Sequence, residues 1–126
     1  MQTKVLLSIK PHFAEQIFAG AKRYEFRRVV FRSNSVTKII VYASSPVRRI
    51  IGEFKVGGIL ALQKEELWKR TKKHGGIKKH YFDLYFNGRE TAYAIKVSSP
   101  HRYRKPVKIA DLCDFAHPPQ SFRYVI

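Results

Sequence analysis

Cysteine occurs once in the 126 residues, as Cys113, so no intrachain disulfide can staple the fold and a reducing compartment is expected. Carboxylates are almost as scarce: nine Asp and Glu stand against 25 Lys and Arg, a net charge of +16 with histidines neutral. No apolar run approaches the ~18 residues of a membrane span. Lys4, Lys10 and His12 interrupt the N-terminal stretch, so neither a membrane helix nor a secretory signal is expected. Seven glycines and six prolines are too dispersed to form a linker, and no repeat is visible, which leaves one domain over residues 1–126. The phosphate-loop, dinucleotide and G-x-S-x-G signatures are missing. His12, His74, His80, His101, His117 and Cys113 lack paired ligand spacing, so no metal and no other cofactor is expected.

What is present is positive charge on a chain able to fold. Apolar residues make up 44% and aromatics 13%, enough for a packed core. A folded chain of this length exposes about 7,000 Å², roughly one uncompensated positive charge per 400–450 Å². Self-repulsion on that scale suits a protein that works beside a polyanion. The expected partner is nucleic acid, RNA first and DNA as the other polyanion, with no membrane, in the cytoplasm.

Patterning predicts an α+β domain. Residues 5–10 read as a strand, and Pro11 suits the first turn of a two-turn helix that ends at Gly20. Residues 23–31 alternate as a strand with Glu25 and Arg27 on one face. Residues 38–43 form another strand, broken by Ser44-Ser45-Pro46. The long β-rich run 49–62 carries Gly52 and Gly57-Gly58, which mark bulges that curve a sheet. Helices are predicted over 64–73, with Leu67 and Trp68 inward, and over 77–86, with Ile77, Tyr81, Leu84 and Tyr85 inward. Strands follow over 91–97 and 121–126. About six strands and three or more short helices, in no regular β-α order, argue for a curved or barrel-like mixed sheet. Trp68, Phe82 and Phe86 read as core residues.

The cations gather in three groups. Lys69, Arg70, Lys72, Lys73, Lys78 and Lys79 bracket His74-Gly75-Gly76. Arg102, Arg104, Lys105 and Lys108 surround Tyr103 beside His101. Arg23, Arg27, Arg28 and Arg32 join Arg48 and Arg49. Each group suits phosphate contact, and each also fits the solvated face of a basic protein. The segment Gly20-Ala21-Lys22-Arg23-Tyr24-Glu25-Phe26-Arg27 stands apart, because a cation, a carboxylate and a guanidinium follow a helix stop at short spacing. Its bland reading is a set of strand-face ion pairs worth under ~1 kcal/mol each.

The spacing G-x-K-x-x-E-x-R behind Ser8-Ile9-Lys10-Pro11 resembles the ASCH family of the PUA-like superfamily. Tyr42-Ala43-Ser44-Ser45-Pro46, Ile51-Gly52-Glu53-Phe54, Tyr93 to Val97 and Pro118 to Tyr124 extend the resemblance over nearly the whole chain. It implies a PUA-like β-barrel flanked by short helices, with a cleft lined by the G-x-K-x-x-E-x-R segment, and RNA-associated work. Some members are enzymes: one branch deacetylates N4-acetylcytidine nucleosides, and another cleaves RNA. The deacetylase branch places a threonine where this chain has Glu25, with its lysine matching Lys22.

The leading expectation is therefore an RNA-binding module that holds a base or nucleotide. Lys22 and Arg27 would meet phosphate or a carbonyl oxygen, and Glu25 an exocyclic amine or ribose hydroxyl. Tyr24 or Tyr42 would stack, while Ser44, Ser45 and Ser121 would supply hydroxyl contacts. Arg48, Lys72, Lys73, Lys78, Lys79, Arg102, Arg104 and Lys105 would track the backbone. The alternative is a metal-independent RNA or modified-nucleoside hydrolase using Lys22 and Glu25. A third class, docking of acidic proteins, has only the basic surface in its favour.

Overall fold

The computed structural model describes residues 3–125. The chain runs β1 (Thr3–Ile9), α1 (Pro11–Phe18), β2 (Tyr24–Arg27), β3 (Val36–Ala43), β4 (Arg49–Leu62), α2 (Lys64–Thr71), α3 (Lys79–Tyr85), β5 (Ala92–Val107), α4 (Ile109–Leu112) and β6 (Phe122–Val125). All strands join one mixed sheet in the order β2-β5-β4-β3-β1-β6, with β1 and β3 parallel and the other pairs antiparallel. This is the α+β architecture expected from the patterning. Among the described residues no helix is long and apolar enough to cross a membrane.

Alternation along β1 explains how the sheet is covered. Val5, Leu7 and Ile9 point to one face, where they meet Ile39, Val41, Phe54 and Ile95 under Ala14 and Ile17 of α1. Leu6 points to the other face and packs with Ile40, Tyr42, Ile50 and Ile109, the last supplied by α4. A further cluster of Phe26, Leu67, Phe82, Phe86, Ala92 and Ala94 seats α2 and α3. Each fully buried side chain of this size contributes roughly 1.5–3 kcal/mol of transfer free energy.

The register of β4 slips against β5 at three places, between Ile50 and Gly52, Glu53 and Lys55, and Val56 and Ile59. These irregularities bend the sheet, as the glycines in this run suggested. The two ends of the strand order, β2 and β6, then come close enough for Arg27 of β2 to donate to the carbonyl of Ser121, just before β6.

Four expectations need correction. β2 stops at Arg27 rather than Phe31, and residues 28–32 leave the sheet as a loop. The inward face of α3 is Phe82 with Phe86 just beyond its end, while Tyr81 and Leu84 are exposed at 58% and 61%. β5 runs on to Val107, ten residues past its expected end, so the Arg102–Lys105 group lies on a strand. α4 has no counterpart in the patterning, because four residues are too few to show a helical period. The last residue of the expected terminal strand, Ile126, lies outside the described residues.

Candidate functional site

Gly20 ends α1 in the left-handed region, at φ +83°, and turns the chain back so that the Ala21 and Lys22 amides both donate to the Gln16 carbonyl. The Arg23 amide donates to His74 O, and Arg23 O accepts from Val97. These bonds pin the segment between the His74-Gly75-Gly76 turn and β5, and they send the Lys22 side chain inward.

Lys22 is only 2% exposed. Its ammonium donates to the Gly75 carbonyl at 2.5 Å and lies 4.9 and 4.8 Å from the ring centres of Phe13 and Phe26. Burial pulls its pKa below the ordinary lysine value, and the charge of Glu25 works against that pull. The two aromatic faces return part of the lost hydration as cation–π attraction.

Glu25 and Arg27, two apart on β2, share a face as expected and pair at 3.2 Å. Arg27 also donates to the carbonyl of Ser8 at 3.2 Å, to that of Ser121 at 3.0 Å and to the Ser121 hydroxyl at 3.4 Å. Its planar fork thus ties β2 to β1 and to the approach to β6.

Gly75 and Gly76 are required here for more than a bend. A Cβ on Gly75 would sit 3.1 Å from the Phe26 ring. One on Gly76, at φ +68°, would lie 2.6 Å from Gln16 Oε1 and 3.0 Å from Lys22 Cγ. Backbone rather than side chain therefore forms this wall.

These groups border a cleft of about 1010 Å³. Lys22, Glu25 and Arg27 contribute to its lining, together with Phe13 and Phe26. Lys72, Lys73 and Lys78 give it an exposed cationic rim, and Tyr81 and Tyr85 supply aromatic surface. Counting Lys10, six lysine and arginine side chains line the cleft against one carboxylate, Glu25. Burial, opposed by Arg27, raises the Tyr85 hydroxyl pKa. Gln16 Oε1 is buried without a hydrogen-bond partner, while the amide nitrogen of the same side chain is 3.4 Å from His12 Nε2. A buried acceptor left open beside a cavity is a place for a ligand donor or a water.

Other nominated residues lie elsewhere. Tyr24 packs against the Phe26–Phe82 cluster, and Tyr42, 6% exposed, packs against Leu6 and Ile40. Ser44, Ser45 and Arg48 occupy the turn between β3 and β4, outside the cleft lining. Ser121 reaches the site through Arg27. Lys79 is tied to Asp83 and Glu65. Arg102 pairs with Glu15 and lies over the Phe18 ring, and Arg104 and Lys105 are exposed along β5. Among the described residues no three His, Cys, Asp or Glu side chains converge on a common point.

A family model described as the ASCH domain matches residues 7–101, about three quarters of the chain. The chain belongs to the ASCH domain family. This ASCH domain is 28% identical over 125 residues to an ASCH domain-containing ribonuclease of Zymomonas mobilis, covering 97% of this chain and 84% of that one. The solved structure of ASCH from Zymomonas mobilis superposes with a TM-score of 0.87 at 28% identity, covering 98% and 87% of the two chains. Similarity of 23% over 121 residues also extends to the large ribosomal subunit protein uL22 of Ureaplasma parvum, of which this chain spans 39%. The G-x-K-x-x-E-x-R segment therefore lies in a cleft of an ASCH fold. His12, Gln16, Tyr81 and Tyr85 are lining residues that the sequence reading did not assign to a site. The only sequence signal for the tyrosines is their i, i+4 spacing, which α3 also shows for Phe82 and Phe86.

Proposed function

We propose that this ASCH domain binds single-stranded RNA and takes one nucleotide into the cleft. The observation that carries this reading is the cleft lining: six cationic side chains, a single carboxylate and two tyrosines around about 1010 Å³. Phosphate meets the exposed ammonium groups of Lys72, Lys73 and Lys78, which neutralise it and release counterions. A base stacks on Tyr81 or Tyr85. The floor discriminates the base edge, with Gln16 Oε1 and Glu25 accepting from exocyclic amines and Lys22 or Arg27 facing carbonyl oxygens. Arg48, Arg102, Arg104 and Lys105 extend the contact along the backbone outside the cleft. The ribonuclease name of the Zymomonas relative supports RNA as the polyanion.

The test is RNA oligonucleotide binding across a salt series, with Lys22→Ala and Glu25→Ala beside a remote control such as Lys55→Ala. Affinity falls steeply with salt, and the two cleft variants lose more than the control. Binding that is flat in salt, or equal loss in all three variants, rejects the reading.

A second reading, RNA cleavage, is favoured by the same relative's name and by the juxtaposition of Glu25 with Lys22 and Arg27. Glu25 would take the proton of a 2′-hydroxyl as that oxygen attacks phosphorus, and the 5′-oxygen would leave with a proton from water. Lys22 and Arg27 would face the developing phosphorane charge. End-labelled RNA incubated in EDTA with wild type and Lys22→Ala decides it. Equal background cleavage in both samples removes this reading and leaves binding intact.

A further inference from the structure

The two chain segments that Arg27 ties together border two cavities. Glu25, Arg27 and Gln120 line the cleft, whereas Arg28, the next residue along the first segment, and Phe122, two residues on along the second, line a separate groove of about 940 Å³. Phe31 and Phe122, in edge-to-face contact at 6.0 Å, are both part of its lining. Its cations are Arg28, Arg32 and Arg89, exposed and in no ion pair among the described residues, and its one carboxylate is Glu90. Tyr93 and Tyr124 add aromatic surface, with Tyr124 40% exposed.

One stacked pair belongs to both cavities. The Arg28 guanidinium lies 4.4 Å over the Tyr85 ring and donates to the Tyr85 carbonyl at 2.8 Å; Tyr85 lines the cleft and Arg28 the groove. A ligand leaving the cleft over this pair meets two further guanidinium groups, Arg32 and Arg89, and two tyrosines. Planar cations and aromatic faces lining one groove suit an unpaired nucleotide chain, which presents alternating phosphate and base.

The geometry points to the groove as a second RNA subsite, in which Arg32 and Arg89 hold phosphates and Tyr93 or Tyr124 stacks a base of the same strand that fills the cleft. This rests on the RNA reading of the cleft and extends it from one nucleotide to a strand along the seam. Among the described residues neither Arg32 nor Arg89 makes a side-chain hydrogen bond or an ion pair, so their replacement breaks no polar contact of the fold.

The experiment compares fluorescein-labelled U3 and U9 RNA by anisotropy over a salt series, with wild type, Lys22→Ala and the double variant Arg32→Gln/Arg89→Gln. Circular dichroism confirms that each is folded. Wild type binds U9 more tightly than U3. The double variant loses at least about fivefold on U9, its salt slope drops by roughly 0.7 for each arginine removed, and its U3 affinity is unchanged. Wild-type affinity and slope of the double variant on U9, or U9 no tighter than U3, overturns the groove while the cleft stands. Absence of binding to both RNAs in wild type overturns the cleft reading and the groove with it. As a second measurement, Tyr124→Trp reports directly: its fluorescence is quenched by U9 and not by U3, and equal response to both counts against the subsite.

Discussion

The Arg27 guanidinium donates to the Ser121 carbonyl at 3.0 Å, across 94 positions of sequence, and so ties β2, the first strand of the sheet order, to the residue just before β6, the last. The same side chain holds Glu25 and the Ser8 carbonyl. A side chain, rather than a backbone ladder, thus joins these two ends. Arg27→Gln removes the ion-pair partner of the buried Glu25 carboxylate and leaves Lys22 as its neighbouring cation, which costs up to about 3–5 kcal/mol. Urea unfolding measures this loss, and Arg27→Lys recovers only part of it, because an ammonium cannot reproduce the planar fork.

Lys22 gives stability a pH dependence with a definite sign. Its folded pKa lies below 10.5, so between that lowered value and 10.5 the unfolded chain holds a proton that the folded chain has released. Stability rises with pH in that window, and below it the penalty of burying the ammonium is complete and constant. Lys22→Met abolishes this contribution. The stability difference between wild type and Lys22→Met therefore shifts toward wild type as pH rises toward 10.5, as unfolding curves at successive pH values will register. A difference that stays constant across the alkaline range contradicts the burial of this amine.

Gly76→Ala places a Cβ 2.6 Å from Gln16 Oε1 at a φ of +68°. The left-handed conformation alone costs about 1–2 kcal/mol, and the contact adds to it by pushing Gln16 or Lys22 into the cleft. Lower thermal stability together with weaker RNA binding is expected. Gly58→Ala, at φ +139° with nothing within 4 Å of its Cβ and lining neither cavity, carries the conformational cost alone and leaves binding unchanged.

The two aromatic stripes of α3 separate stability from binding. Phe82 is fully buried against Phe26, Trp68 and Phe86, and Phe82→Ala costs about 3–5 kcal/mol. Tyr81 is 58% exposed at the cleft, so Tyr81→Ala shifts the unfolding midpoint little and weakens RNA binding by about fivefold or more. The opposite pattern would return Tyr81 to the core.

Much of this was legible because it is local. Pro11 and Gly20 bracket α1, glycines bend β4, and a two-residue offset on a strand makes Glu25 and Arg27 neighbours whatever the rest of the chain does. Alternation with a β-rich composition was enough for α+β and a curved mixed sheet, and the charge count was enough to point to a polyanion. What periodicity could not settle was which of two equally spaced aromatic pairs on α3 faces inward, since Tyr81/Tyr85 and Phe82/Phe86 have the same i, i+4 separation. Contact with Phe26, more than fifty positions away, decides between them. The full length of β5 was hidden by Pro100 and Pro106, which lower strand propensity, and is secured by pairing with a bulged β4. The cleft and the seam groove belong wholly to tertiary structure: distant segments meet at Lys22 and Gly75, at Arg27 and Ser121, and at Arg28 and Tyr85, and no local pattern encodes which carbonyl a buried cation will find.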